Sequence, residues 1–255
     1  MNLSIIIPVL NEEKDILLVI DNAFVALKEF GIFGEIIVVN DGSMDSTPKL
    51  VEKKIKENSG LVRIVNHDKS KGIGASFWDG VDCARGEFVV MLPGDNENDP
   101  REILRYYFLM EQVDLVIPFI FNKETRSFFR RLLTSLYNFI IKISFSVNFN
   151  YTNGTTLYRR SILKGLEHRS NGFFFQTDIL VRTVKKGYLF AEVPHRLNLR
   201  DSGSSKAIKL SSLICLVKEY LHLFKDYYFK RRQIFKKQFV TDSVTAFRRN
   251  EKIIK

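Results

Sequence analysis

The first 120 residues constrain the fold most, because short β-branched runs alternate there with helical patterns. Runs at 3–9, 35–39, 61–66, 87–92 and 114–119 read as strands, and several are apolar on both faces. Strands buried on both faces need cover on both sides, and strands separated by helices pair in parallel. Residues 12–30 supply one such helix, with Ile16, Leu17, Ile20, Phe24 and Leu27 along one face. A second is expected at 48–58, with Thr47 as N-cap and Pro48 at the first helical position. Ligands of such sheets sit at the carboxyl ends of the strands, so loops 11–14, 40–47, 67–74 and 93–100 should converge.

Beyond residue 120 the pattern is less regular. An aromatic-rich helix is expected at 127–146, an extended segment at 150–158, a helix at 175–187 and a strand at 188–196. Residues 200–206 form a polar, glycine-bearing loop, and 207–229 return to helical periodicity. The basic cluster Lys230, Arg231, Arg232, Lys236 and Lys237 follows, and the final dozen residues read as frayed. There is no internal repeat and no low-complexity linker.

A content of 45% hydrophobic and 27% charged residues excludes a wholly disordered or fibrous chain. Two cysteines, Cys83 and Cys215, cannot form a disulfide framework and match no zinc spacing, which favours a reducing, cytoplasmic setting. No apolar run approaches the roughly 20 residues of a membrane span, and no secretion signal is visible at the start. The charge is uneven. Lys and Arg number 39 against 29 Asp and Glu, for +10, yet residues 200–255 hold 14 basic and 5 acidic residues and so carry +9. Such a tail suits nucleic acid or an anionic membrane surface. No nucleic-acid motif accompanies it, so the membrane is the expected partner and nucleic acid is not.

Four loops carry the chemistry. Pro8-Val9-Leu10-Asn11-Glu12-Glu13 ends a strand and opens a helix. Asn40-Asp41-Gly42-Ser43 also ends a strand; its amide and carboxylate can pair with base and ribose groups, or simply form an Asx turn that caps the next helix. Lys71-Gly72-Ile73-Gly74-Ala75-Ser76 places glycines before a helix, where backbone N–H groups can cradle a phosphate with Lys71 adding charge, or make only a tight turn. Pro93-Gly94-Asp95-Asn96-Glu97-Asn98-Asp99 brings three carboxylates to one strand end. Hard oxygen ligands there suit Mg²⁺ or Mn²⁺ bridging a diphosphate, although an acidic helix-capping loop reads the same way.

Taken together and in order, these loops resemble the family 2 glycosyltransferases, nearest to the dolichyl- and polyprenyl-phosphate sugar transferase branch. The matching runs are P-x-x-N-E, V-x-D-D-G-S-x-D-x-T, G-x-G-x-A and a D-x-D strand end, over about residues 3–100. Residues 150–160, 175–178, 187–194 and 200–206 extend the likeness, the last as R-x-x-G-x-S-K. The resemblance implies a GT-A-like α/β fold, with a mostly parallel central sheet flanked by helices and C-terminal amphipathic helices. It implies a catalytic domain at 1–206, divided into a nucleotide-sugar half (1–120) and an acceptor half (121–206), followed by a basic amphipathic segment at 207–255.

The same resemblance implies inverting transfer from a nucleotide-diphosphate sugar to a membrane-associated acceptor, chiefly polyprenyl phosphate. A glycan hydroxyl in cell-envelope synthesis is the alternative acceptor, and a silent nucleotide-sugar-binding scaffold the alternative function. Pro8, Asn11, Glu12, Asn40, Asp41, Lys71, Gly72 and Asp95 are implied to bind the nucleotide sugar. Asp95 and Glu97 would hold Mg²⁺ or Mn²⁺. Asp95, Asp178 and Arg200 are implied to be catalytic, with Asp178 as base if the acceptor is a hydroxyl. Arg126, Arg130, Arg131, Gln176 and Lys206 would face the acceptor. Three departures stand out: Asn40 replaces the first Asp of the second motif, Pro93 the first Asp of D-x-D, and Asn150 a usual Asp. The first bears on base preference and the second on metal dependence. Finally, residues 207–229 carry Ile208, Leu213, Leu216, Tyr220, Leu223 and Phe224 at helical spacing beside the basic cluster. That pattern predicts peripheral docking on the inner face of a membrane, or packing on the domain or on a second subunit.

Overall fold

The computed structural model describes residues 1–58, 60–122, 128–197, 210–230, 234–235 and 238–254. The chain alternates as the sequence pattern requires. It runs β1 (Leu3–Val9), α1 (Ile16–Glu29), β2 (Gly34–Asn40), α2 (Thr47–Glu57), β3 (Val62–Asn66), α3 (Ile73–Cys83) and β4 (Phe88–Met91). A short α4 (Arg101–Leu104) and a 3-10 turn (Tyr107–Glu111) lead to β5 (Leu115–Ile120) and α5 (Phe128–Phe145). Then come β6 (Leu157–Arg159), α6 (Arg160–Lys164), α7 (Phe175–Lys186), β7 (Phe190–His195), α8 (Leu210–Phe229) and α9 (Val244–Ile254).

The seven strands form one sheet in the order β3-β2-β1-β4-β6-β5-β7. Only β6 runs antiparallel to its neighbours. Alternation along β1 shows how the sheet is covered. Ile5 and Ile7 pack with Ile16, Val19 and Ile20 of α1, whereas Ile6 packs with Phe77 of α3 and the α7 residues Phe175 and Ile179. Each face thus buries its own apolar layer, the condition that parallel strands need.

The chain steps outward from β1 through β2 to β3, then returns to place β4 on the other side of β1. The β1/β4 boundary is therefore a topological switch point, where the loops leaving the carboxyl ends part to either side and open a crevice. Its two walls touch: a Cβ on Gly94 would fall 2.6 Å from Cγ1 of Val9.

Several boundaries differ from expectation for local reasons. Thr47 is the first residue of α2 rather than its N-cap, because its hydroxyl accepts from the Glu12 N–H at 3.0 Å instead of turning back on its own helix. The extended segment at 150–158 pairs only as the three-residue β6. Residues 244–254, which read as frayed, are helical. Asp114, fully buried at the start of β5, accepts from the Val244 N–H at 2.8 Å and from the backbone and hydroxyl of Thr245, capping α9 from the far side of the domain.

Helix α8 does not stand apart from the rest of the fold. Leu223 and Tyr227 are buried, and Leu216, Tyr220 and Phe224 pack against the same core as α3 and α7. Most of the stripe assigned to lipid from the sequence faces the protein instead. Among its described residues the exposed apolar ones are Leu213, Ile214, Val217, Leu221, Tyr228 and Phe229, of which only Leu213 belonged to that stripe. Ile208 and the cations Arg231, Arg232, Lys236 and Lys237 lie outside the described residues.

Candidate functional site

At the carboxyl ends of β1 and β2 the two loops lock together through their backbones. Asn11 adopts φ 56° and exchanges two bonds with the second loop: its N–H donates to Ser43 Oγ at 2.9 Å, and its Oδ1 accepts from the Met44 N–H at 2.8 Å. Glu13 accepts from the Ser46 N–H at 2.9 Å. Asp45 accepts from the N–H groups of Glu13 and Thr47. Pro8 lies on β1 opposite Val39. Asn40, buried at the end of β2, accepts from the Ser43 N–H at 3.0 Å and donates to Asn66 Oδ1 at 2.9 Å, which ties the second loop to the end of β3.

Asp41 organises the third loop. One carboxylate oxygen accepts from the Lys71 N–H at 2.8 Å and pairs with His67 Nδ1 at 2.7 Å. The other accepts from Ser70 Oγ at 2.6 Å and from the Gly72 N–H at 3.0 Å. Burial pushes this carboxyl up, but the hydrogen bonds from Ser70, His67, Lys71 and Gly72 outweigh it and hold the group below the ordinary aspartate range. On its far side the buried His67 ring meets Asp79 of α3 at 2.9 Å, and Lys71 Nζ lies 3.3 Å from the same carboxylate. The sequence reading did not single out His67, Ser70 or Asp79. Asp79 lies eight residues past Lys71 on a helix whose direction the sequence alone does not fix.

The glycine loop is not free to cradle a phosphate through the leading N–H groups of its helix. Those of Gly74 and Ala75 donate to the Asn171 carbonyl, at 2.9 and 3.3 Å. The N–H groups of Lys71 and Gly72 are held by Asp41. The glycines serve a close approach instead. Gly72 has φ +101°, and a Cβ on Gly74 would fall 2.4 Å from the Ser170 carbonyl oxygen.

The fourth loop follows β4 into the switch-point crevice. Asp95 is half-buried, accepts from the Glu97 N–H at 3.3 Å, and is followed by Asn96 at φ 55°. No group of three or more metal-binding side chains occurs among the described residues. The oxygen donors of Asp95 and Glu97 still suit a hard cation, which here would draw most of its shell from diphosphate oxygens and water.

On α7, Gln176 is buried and donates to the Gly154 carbonyl at 2.6 Å, which fixes the 150–156 segment against that helix. Asp178 is not presented as a base. It is 1% exposed, and Arg182 Nε, one turn on, sits 2.9 Å from both of its oxygens. Arg182 also donates to Asp226 of α8 at 2.8 Å, so one buried guanidinium serves two buried carboxylates. Burial pushes Asp178 up to about 6 against the pull of Arg182 and His168. Asp226 is also raised by burial, but Arg182 overrides this and holds it below the ordinary range. The Asp178–Arg182 spacing of four was readable in the sequence; Asp226, 44 residues further on, was not. Arg130 and Arg131 lie in the first turn of α5. Arg126, Arg200 and Lys206 lie outside the described residues.

An open α/β sheet with interlocked loops beside its switch point and a carboxylate loop in it is an architecture that binds ligands at the carboxyl ends of its strands, and comparison with known proteins makes the class specific. The model of the glycosyl transferase family 2 matches residues 4–167, and the chain belongs to that family. It is 32% identical, over 83% of its length, to undecaprenyl-phosphate 4-deoxy-4-formamido-L-arabinose transferase of Pseudomonas fluorescens, covering 62% of that protein. It is 28% identical, over 64% of its length, to dodecaprenyl-phosphate galacturonate synthase of Rhizobium johnstonii, covering 49% of it. The chain thus spans about half to three fifths of these curated relatives. Its fold is that of glucosyl-3-phosphoglycerate synthase from Mycobacterium tuberculosis, solved with Mn²⁺, UDP-glucose and phosphoglyceric acid. The TM-score is 0.62 at 17% identity, over 88% of this chain and 79% of that one.

Proposed function

We propose that the protein transfers a sugar, with inversion, from a nucleotide-diphosphate sugar to a polyprenyl phosphate. The names of the curated relatives support this acceptor class. So does the observation that carries the choice between acceptors, the burial of Asp178 behind Arg182. A sugar hydroxyl needs a carboxylate to take its proton in the transition state, whereas a phosphate is already an anionic nucleophile. With Asp178 closed off, the phosphate acceptor needs the least from the protein.

The nucleoside would lie across Asn11, Glu12, Asn40 and Asp41, with Pro8, Lys71 and Gly72 shaping the floor. Asn40 and Asp41 have their side chains committed to neighbouring loops, so their part is to hold the pocket's shape as well as to line it. Asp95, with Glu97, would hold Mg²⁺ or Mn²⁺ against the diphosphate; the ion would neutralise charge that develops on the leaving group. Arg130 and Arg131, with Arg126, Arg200 and Lys206, would meet the acceptor phosphate. Asp178 becomes a positioning residue.

Work on a lipid acceptor would place the protein at the inner face of a membrane, where nucleotide sugars are available. No helix among the described residues is long and apolar enough to cross a membrane. The test is release of nucleoside diphosphate from a panel of UDP-, GDP- and dTDP-sugars, with and without polyprenyl phosphate and Mn²⁺. Acceptor-dependent release supports the reading. Release that depends on a glycan instead, or a melting-temperature shift without release, would move it to the hydroxyl acceptor or to a silent nucleotide-sugar-binding scaffold.

A further inference from the structure

We propose that His67 is a positioning residue that works as an imidazolium bridge between Asp41 and Asp79, and that the protonated ring holds the loops after β2 and β3 in the shape that takes the nucleotide. Since it concerns the nucleotide, this role rests on the nucleotide-sugar reading above. The ring is 2% exposed and lies between two carboxylates. Its Nδ1 is 2.7 Å from Asp41 Oδ1, and its Nε2 is 2.9 Å from Asp79 Oδ2. A neutral imidazole has one N–H and one bare nitrogen, so it can donate to only one of the two. The other contact would set a lone pair against a lone pair. Neither carboxylate supplies the missing proton. Against the upward push of burial, hydrogen bonds hold Asp41 below the ordinary aspartate range. The Asp79 oxygen that faces the ring also accepts from Lys71 Nζ at 3.3 Å. Both protons therefore sit on the ring.

The charged groups around the ring are Asp41 from the loop after β2, Asp79 from α3 and, through Asp79, Lys71; with His67 protonated they sum to zero. Both ends of the bridge are fixed from outside it. The His67 N–H donates to the Asn40 carbonyl at 2.9 Å, which carries the β2–β3 pairing one residue past the strands. Asp79 precedes Gly80, where α3 lies directly on β1, since a Cβ there would fall 2.4 Å from Ile6 Cγ2. The bridge thus ties a firmly seated helix to Asp41. Asp41 in turn holds the N–H groups of Lys71 and Gly72 and the hydroxyl of Ser70. Loss of the second ring proton would leave bare Nε2 facing Asp79 and release α3 from the carboxylate on which the third loop hangs.

The test uses the full chain with ¹⁵N-labelled histidine, and UDP, GDP and dTDP as probes. The chain has four histidines, and His67→Gln assigns the ring signal. We expect the doubly protonated signature for His67 at pH 6 in the free protein. Affinity for the bound probe should fall about tenfold as rising pH removes that signature, the two curves coinciding. Asp79→Asn is the decisive variant. Its amide N–H can donate to bare Nε2 while its oxygen stays with Lys71, so the bridge no longer needs the second proton. Its affinity should stay within about twofold of the wild-type value at pH 6 and should not fall as the pH rises. His67→Gln reaches one carboxylate at most and should bind about tenfold more weakly at pH 6. A singly protonated ring throughout, or the same pH response in wild type and Asp79→Asn, would overturn the proposal. A probe that binds equally on both sides of the ring titration would sink the bridge and spare the nucleotide reading. If no probe binds the wild type at any pH, the nucleotide reading fails and the role of the bridge falls with it.

Discussion

Replacing Asp178 by Asn tests whether its carboxyl is a buried structural group or a working base. Its pKa stands at about 6 in the fold against an ordinary 3.8, because burial outweighs the pull of Arg182. A carboxyl raised in this way favours folding most below the unfolded value, and that advantage is lost as pH rises through the folded one. A shift of about 2 units corresponds to roughly 3 kcal/mol at full ionisation, of which about 1 to 2 kcal/mol falls between pH 5 and pH 7.5. Asparagine keeps the shape and one acceptor oxygen for Arg182 but cannot ionise. Wild-type stability should therefore fall by that amount relative to Asp178→Asn over this window, measured by urea unfolding at both pH values. Asp226 stays paired with Arg182 in both proteins and cancels in the difference. Turnover should remain within several-fold, and the pH–rate profile should keep its shape. Parallel stability curves would refute the raised pKa, and a lost acidic limb with a large fall in turnover would restore Asp178 as the base.

Asp95→Ala should lower transfer by about a hundred- to a thousandfold, the scale expected when one group stabilising transition-state charge is removed, with the melting temperature nearly unchanged because the side chain lies in a loop. Nucleoside diphosphate release measures the first and thermal unfolding the second. Asp41→Ala strips the acceptor from four donors at once and should cost about 2–4 kcal/mol in urea unfolding, together with a smaller nucleotide-induced rise in melting temperature. Gly74→Ala should cost about 1–3 kcal/mol, since its new Cβ is driven against the Ser170 carbonyl. Thr245→Val should cost about 1–2 kcal/mol through the loss of its buried hydroxyl bond to Asp114, the backbone bonds that cap α9 remaining. Denaturant titration checks both.

The strands were legible because their information is local. β1 was placed to the residue, and β2 to β5 to within one or two, since β-branched runs bounded by turn residues leave little choice. The convergence of four loops followed from parallel order alone. What the sequence hid depends on partners far along the chain. The cap of α9 is Asp114, about 130 residues earlier. The glycines at 72 and 74 look the same whether a phosphate or the 170–171 backbone approaches them. The periodicity of α8 gave a stripe but not which side would meet the core. On α5 the inward positions Thr134, Tyr137 and Asn138 would by composition have been assigned to water.

The two halves of the site solve the burial of carboxylates differently, and this bears on what each can do. Asp41 is saturated by four donors from its own neighbourhood, so it stays ionised and in the proposed role would hold a fixed shape for the nucleoside. Asp178 and Asp226 share a single guanidinium, so one ionises readily and the other resists. Freeing Asp178 to take a proton from a hydroxyl would withdraw Arg182 from it and leave a carboxylate uncompensated in the core, a change that costs several kcal/mol. Arg182 is likewise committed and cannot turn outward to an acceptor phosphate. In the proposed reading the cation for the acceptor phosphate would come from outside the cluster. The candidates are Arg130 and Arg131 in the first turn of α5; Arg126, Arg200 and Lys206 lie outside the described residues. In that reading a phosphate acceptor that meets those cations asks nothing of the closed Asp178–Arg182–Asp226 cluster, whereas a glycan hydroxyl would need a base from it.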